Sequence, residues 1–361
     1  MIDIQKEKDN PIVTSYKKYL GGKRTLLVLE FFLLLMLIIG SLSFGAVHVP
    51  VSQTIRVLFS LDGSSSRYAA IIREIRLPQT LSAVVAGAGL AAAGAIMQVI
   101  LQNPLGSPFT LGISHAAAFG AACSVMLFGT GVMQSSGNNA IIILAPYKTT
   151  IAAMVFALGA SFFILVLARV KQSSPEVMIL AGVAIGSLCS AGTMFLQYFA
   201  DDVQLAAMVF WTFGDVGRVN WHELEIITVV TMVSLGYFFF HSWYYNAMHM
   251  GDETAKGLGV PVERVRLIGM GVSALVTSVI IAFVGVIGFI GLVAPHISRR
   301  LIGDDHRYFL MGSLLTGSVL LLASDVVARL ILAPRVLPVA ILTAFLGAPV
   351  FIVLLMRGHR R

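Results

Sequence analysis

The residues able to do chemistry in this chain are few, and most lie in apolar surroundings. Asp325 and Arg329 stand four apart inside the apolar run 321–330, a spacing that puts them on one helix face, where they can pair. An ionisable group at membrane depth is expensive and is a functional candidate by default. Two readings stay open: a structural ion pair, or a working Arg329 with Asp325 as a proton relay. Gln98 and Gln197 either face an internal pathway or hydrogen-bond between helices, and Glu30 sits where it can snorkel to an interface. His115 and His296 read as polar residues at helix ends rather than metal ligands, and Cys123 and Cys189, inside apolar segments, read as core thiols. The only Gly-Lys pair, Gly22-Lys23, is followed by Arg24, so there is no GxxxxGK[ST] phosphate loop, and HExxH and GxSxG are absent as well. These residues give no nucleotide-binding, zinc-hydrolase or acyl-transfer chemistry.

The elements that must position these residues are membrane spans. Of 361 residues, 57% are apolar and 12% charged, and mean hydropathy is +0.87. Soluble domains carry roughly a quarter charged residues, and one core stops growing near ~250–300 residues, so the surplus must face lipid. Barrel strands would alternate apolar and polar residues. Segments 31–39 and 268–293 are apolar or small on nearly every face instead, which predicts an all-α polytopic membrane protein. Charge clusters and Gly/Pro punctuation predict ten spans: 25–47, 78–101, 109–129, 150–169, 177–199, 222–244, 264–286, 288–302, 308–330 and 338–356. The eighth is short and holds or adjoins Gly288, Gly291 and Pro295, the pattern of a broken or re-entrant helix buried in protein. The chain then divides into a basic tail 1–24, one transmembrane domain 25–356 and a tail 357–361. The run from 25 to 47 is too long for a signal-peptide core and lacks an A-x-A site, so it reads as a retained span.

With the N-terminus inside, 17 of the 25 Lys and Arg fall on the cytoplasmic side and eight outside, as the positive-inside rule requires with both termini cytoplasmic. The net charge of +7 is then explained by anionic inner-leaflet lipid, with no nucleic-acid partner. Small residues in 86–95, at Gly182, Gly186 and Ser190, and at Ser313 and Gly317 mark helix contacts. The longest cytoplasmic connection, 246–264, contains short helical stretches around Gly257 and Gly259, with Pro261 opening the next helix. It is long enough to dock a partner.

Several long motifs occur in one order: IRLPQTLSAVVAGAGLAAAGAIMQ (75–98), QNPLGSPFTLGIS (102–114), ILAGVAIG (179–186), WTFGDVGRVNW (211–221), GVIGFIGLVAPHISRRLIGDDHR (285–307), LLASDVVARL (321–330) and LPVAILTAFLGAPVFIVLL (337–355). Over about 26–356 the chain resembles the FecCD-type permeases of bacterial ABC importers, which take up iron-siderophores, haem and vitamin B12. That resemblance implies the type II permease fold with inverted halves. It also implies a second permease subunit, identical or not, two ABC ATPase subunits that carry ATP and Mg while this chain binds no cofactor, and an extracytoplasmic substrate-binding protein. The expected location is the bacterial cell membrane.

The resemblance implies residue roles too. Arg76 and Arg329, with Arg73 nearby, match the arginines that meet acidic residues of the binding protein, a task suited to bidentate pairing. Gln79 stands where a second arginine is common, and Arg335 and Ala340 depart from the usual outer-loop pattern. Gly251, Asp252, Glu253, Ala255, Lys256, Gly257, Leu258 and Gly259 match the coupling loop that fits a cleft of the ATPase. Ser173, Ser174, Pro175 and Glu176 occupy the place of the inner gate. The expected function is ATP-driven import of an iron-siderophore, with haem or cobalamin as alternative substrates. An ion-coupled transporter using Asp325 and a structural scaffold are the competing classes.

Overall fold

In lipid, every backbone N–H and C=O must be paired within the protein, and a run apolar on all sides can do so only as helix. The computed structural model describes residues 11–45, 47–59, 67–129, 131–133, 141–143, 146–171, 174–333 and 335–358. The first half contains α1 (Pro11–Ser43), α2 (Val51–Leu58), α3 (Leu77–Ile100), α4 (Ile113–Phe128), α5 (Pro146–Val170), α6 (Pro175–Phe199) and α7 (Asp202–Thr212). The second contains α8 (Trp221–Phe240), α9 (Ser242–His249), α10 (Asp252–Gly257), α11 (Val262–Val284), α12 (Ile290–Ile302), α13 (His306–Leu330) and α14 (Val339–Gly358). A π-helical stretch, Ile71–Arg76, runs directly into α3.

Each of the ten expected spans finds a helix: α1, α3, α4, α5, α6, α8, α11, α12, α13 and α14. Seven are long and apolar enough to cross a membrane, while α4 and the apolar part of α14 are shorter. The α2 and α7 helices and a small antiparallel hairpin, Gly131–Met133 with Ile141–Ile143, lie between spans. The three-residue strands of this hairpin are a local detail of an all-α bundle.

The α3 helix is the centre of the bundle, packed against α8, α11, α12 and α13. It tolerates this because its middle, residues 86–95, is Gly and Ala apart from Leu90, so backbones approach closely. A Cβ on Gly87 would lie 2.5 Å from the Gly317 carbonyl oxygen of α13, and one on Gly94 would collide with the Gly291 carbonyl of α12. Outer helices α1, α6 and α8 bury only one side and present their remaining apolar residues outward.

The predicted break at span eight is present. Gly285 (φ +84°) ends α11, Phe289 (φ +67°) precedes α12, and a 13-residue helix is about 20 Å long, short of the ~30 Å hydrocarbon core. Its irregular start is packed inside protein: Ile287 and Ile290 are buried, and Asp215 N–H donates to the Val284 carbonyl at 2.8 Å.

Candidate functional site

The α3 helix runs between two polar clusters, one at each of its ends. At the Arg76 end, Arg76 donates to the carbonyls of Leu42 (2.7 Å), Ser43 (3.0 Å) and Val47, so its guanidinium closes the last turn of α1, whose final carbonyls have no helical donors. Arg329 donates to Ser41 Oγ at 2.6 Å and to the Ser41 carbonyl at 3.2 Å. It also makes an ion pair with Asp325 at 2.7 Å; that contact is close, but the aligned hydrogen bonds of its terminal nitrogens go to Ser41. Gln79 Nε2 donates to the other Asp325 oxygen at 2.9 Å, and Ser41 Oγ and Thr80 Oγ1 are 2.7 Å apart.

Arg76 and Arg329 are thus only 5% and 7% exposed, with donors spent on α1. In this conformation they fasten α1 to α3 and α13. Space beside Arg76 exists because residue 45 is glycine: a Cβ there would come 2.9 Å from the guanidinium. Arg73 is half-buried and donates to the Val57 carbonyl at 3.0 Å, while its own carbonyl accepts from Trp221 Nε1 at 3.0 Å. The exposed cations at this end include Arg56 and Arg335.

At the far end, some 36 Å away by the length of a 24-residue helix, lies the loop around α10. Its C-terminus is a Schellman motif: Val260 N–H donates to the Ala255 carbonyl (3.0 Å) and Gly259 N–H to Lys256 (2.9 Å), with Gly259 at φ +80° and buried Ala255 and Val260 as the usual apolar contact. Pro261 then prevents continuation. The residues divide by direction. Ala255 points into the core, and Asp252 turns inward to Arg266 Nη2, 2.7 Å from each carboxylate oxygen. Glu253, Lys256, Gly257, Leu258 and Gly259 are exposed. Glu253 and Lys256 pair at 3.1 Å, while Leu258 and Met250 present bare apolar side chains, 56% and 74% exposed. A rigid helical turn with an apolar tip and a charged flank suits insertion into a protein cleft.

Beside this loop, Asp304 contacts His249 (3.6 Å) and Arg299 (3.3 Å), and Asp305 caps α13 by accepting from Arg307 N–H at 3.2 Å. Asn246 Oδ1 accepts from His306 N–H at 2.8 Å. These contacts tie α9 to the start of α13. At the start of α6, Pro175 occupies the first helical turn and Ser174 Oγ donates to Glu176; Ser173 lies outside the described residues.

Between the two ends, the turn before α4 and the flank of α6 enclose an open cavity of about 520 Å³, lined by Phe109, Thr110, His115, Ser187, Ser190 and Met194 over a floor of Gly112, Gly182 and Gly186. A Cβ on Gly112 (φ +73°) would lie 2.6 Å from the Gly182 carbonyl, so the predicted small-residue motif is an internal helix contact. His115 is half-buried and its Nδ1 has no partner. Two other intramembrane polar groups have partners: Gln98 donates to the Leu292 carbonyl at 3.3 Å, and Glu30 Oε1 accepts from Thr316 at 3.2 Å, while Glu30 Oε2 and the hydroxyls of Thr231, Ser273, Thr277 and Ser278 have no hydrogen-bond partner. Among the described residues, no group of three or more His, Cys, Asp or Glu could hold a metal ion.

The model of the FecCD transport family matches residues 33–357, all ten spans apart from the start of the first. The chain belongs to the FecCD transport family. This FecCD permease is 49% identical to MJ0087 of Methanocaldococcus jannaschii, named for an ABC transporter permease, over 97% of this chain and 99% of that one. It is 37% identical to the hemin transport system permease HmuU of Yersinia pestis (94% and 98% covered) and 34% to the Fe(3+)-citrate import system permease YfmE of Bacillus subtilis (94% and 97%). A solved structure described as an inward-facing conformation of a metal-chelate type ABC transporter superposes with TM-score 0.79 at 29% identity, covering 92% of this chain and 99% of that one.

Several residues of this FecCD permease that build the site escape sequence reasoning. The Asp305 cap could have been found from an acidic residue before an apolar helix. Arg266, Gln102 and Asn246 could not, because their partners are 14, 150 and 59 positions away and no local pattern joins them.

Proposed function

We propose that this FecCD importer permease carries an iron chelate of the siderophore type through the membrane, received from a binding protein at the Arg76 end and released at the α10 end. In this reading both termini are cytoplasmic and two ATPase subunits drive a pair of permease subunits. The observation that carries it is the α10 turn: a fixed helical tip with exposed Leu258 and Met250, on a chain that has no phosphate loop of its own. A motor supplied by another chain needs such a contact. Relatives named for hemin and Fe(3+)-citrate support an iron compound, and vitamin B12 permeases at 35–37% identity make cobalamin the alternative to be separated by experiment. The cavity lining supports a chelate rather than a bare ion, because Phe109, Met194 and Val183 offer apolar surface with a few polar groups.

At the receiving end, exposed Arg56 and Arg335 and half-buried Arg73 make first contact with acidic groups of the binding protein. Arg76 and Arg329 join only when α1 releases them. Test: reconstitute the tagged complex with its binding protein in vesicles and offer a ferric hydroxamate, haemin and cobalamin in competition. ATP-dependent accumulation of the hydroxamate that the other two do not displace is expected. Accumulation of haemin or cobalamin alone would overturn the substrate assignment.

A further inference from the structure

The C-terminus of α3 is built unusually. Asn103 N–H donates to the Gln98 carbonyl and Gln102 N–H to Val99, both at 3.0 Å, the bonding of a Schellman motif, whose left-handed position is normally glycine. Here that position is Gln102, at φ +48°. A side chain held in this strained region has to be secured by its surroundings, and such outliers concentrate at working sites. Gln102 Nε2 donates to Asp252 Oδ1 at 2.7 Å.

The same carboxylate accepts from Arg266 Nη2, and Arg266 Nε donates to the Ile100 carbonyl at 2.7 Å. Arg266 is 2% exposed. A buried guanidinium with these partners is a stiff strut, because losing either partner leaves a charge poorly solvated. Asp252 is therefore joined to the last turn of α3 twice, directly to Gln102 and through Arg266 to Ile100. Immediately after Gln102 the chain forms the turn that supplies Phe109, Thr110 and Gly112 to the cavity wall.

Resting on the importer reading above, we infer that Asp252, Gln102 and Arg266 are positioning residues that transmit movement of α10 to the wall of the 520 Å³ cavity, and that Gln102 is kept in place of glycine for this purpose. The surface of α10 meets the motor; Asp252, on its inner side, pulls on the pathway.

The test uses the complete complex, purified through a tag on this chain and reconstituted in vesicles. Ser187→Cys is placed on the cavity wall in a Cys123→Ser/Cys189→Ser background, and its maleimide labelling is compared without nucleotide and with ATP and vanadate. In this parent, labelling responds to nucleotide. Gln102→Gly removes the bond while relieving the backbone, so it melts no lower than the parent, keeps its ATPase subunits and ATP turnover, and loses the labelling response. Gln102→Lys, which keeps a donor near Asp252, retains the response. A parental response in Gln102→Gly, or a lost response in Gln102→Lys, overturns the inference. A parent that carries no ATPase or ignores nucleotide overturns the importer reading instead.

Discussion

Replacing Gly87 by alanine tests whether the close approach of α3 and α13 holds the bundle together. The new Cβ would sit 2.5 Å from the Gly317 oxygen, 2.8 Å from its carbonyl carbon and 2.9 Å from Ser318 Cα, against ordinary contacts of about 3.5–4.0 Å. All three atoms are backbone, so no rotamer change relieves the clash and the helices must part by roughly 1 Å. Overpacking of this kind costs about 1–3 kcal/mol. Alanine is also a better helix former than glycine by about 1 kcal/mol, which would mask part of the loss. Gly236→Ala in α8 isolates the packing cost, since nothing lies within 4 Å of a Cβ there. In detergent, thermal unfolding can be followed by a thiol-reactive dye at the half-buried Cys123 and Cys189. Gly87→Ala should melt several degrees below Gly236→Ala, at about 2–4 °C per kcal/mol. Gly317→Ala should behave alike, and the double variant should lose less than the sum because one separation serves both. Equal melting of Gly87→Ala and Gly236→Ala would refute the packing argument.

Other expectations follow from the two polar clusters and the cavity. Leu258→Asp should abolish co-purification of the ATPase while leaving melting within about 0.5 kcal/mol of native, as for other exposed positions; unchanged co-purification would remove α10 from the motor interface. Gly259→Ala puts a Cβ at φ +80° and should cost about 1–2 kcal/mol, seen as lowered hydrogen-exchange protection of Ala255 and Val260. Arg329→Met strands Asp325 and should destabilise by about 3–5 kcal/mol, whereas Asp325→Leu/Arg329→Met should recover most of it; chemical unfolding of the two variants decides. His115→Ala should leave ATP turnover intact and raise the substrate concentration needed for half-maximal uptake, measured in vesicles; no change would place His115 outside the path.

How far the residues themselves disclose this architecture depends on range. Spans are legible because lipid imposes a local rule, so ten apolar runs become ten helices, and even the broken eighth is announced by Gly288, Gly291 and Pro295. The α10 turn is legible for the same reason: Gly259 followed by Val260 and Pro261 is a local stop signal. Side-chain direction is another matter. Asp252 reads as part of a partner-facing loop, yet it turns inward because Arg266, 14 positions on, is buried and needs a carboxylate. The Asp325–Arg329 pair is legible from its i,i+4 spacing, but the bonds by which Arg76 and Arg329 close α1 are not, because no spacing rule connects its unsatisfied carbonyls to residues 34 and 288 positions away. Interactions between distant segments are set by packing, and only the folded chain reveals them.

The central claim is that this chain is a passive path worked by a separate ATPase. Vesicles containing the complete complex, its binding protein and a ferric hydroxamate test it directly. The account predicts accumulation that requires ATP and persists when a protonophore collapses the pH gradient. Accumulation driven by a pH gradient without ATP, and lost on Asp325→Asn, would contradict it.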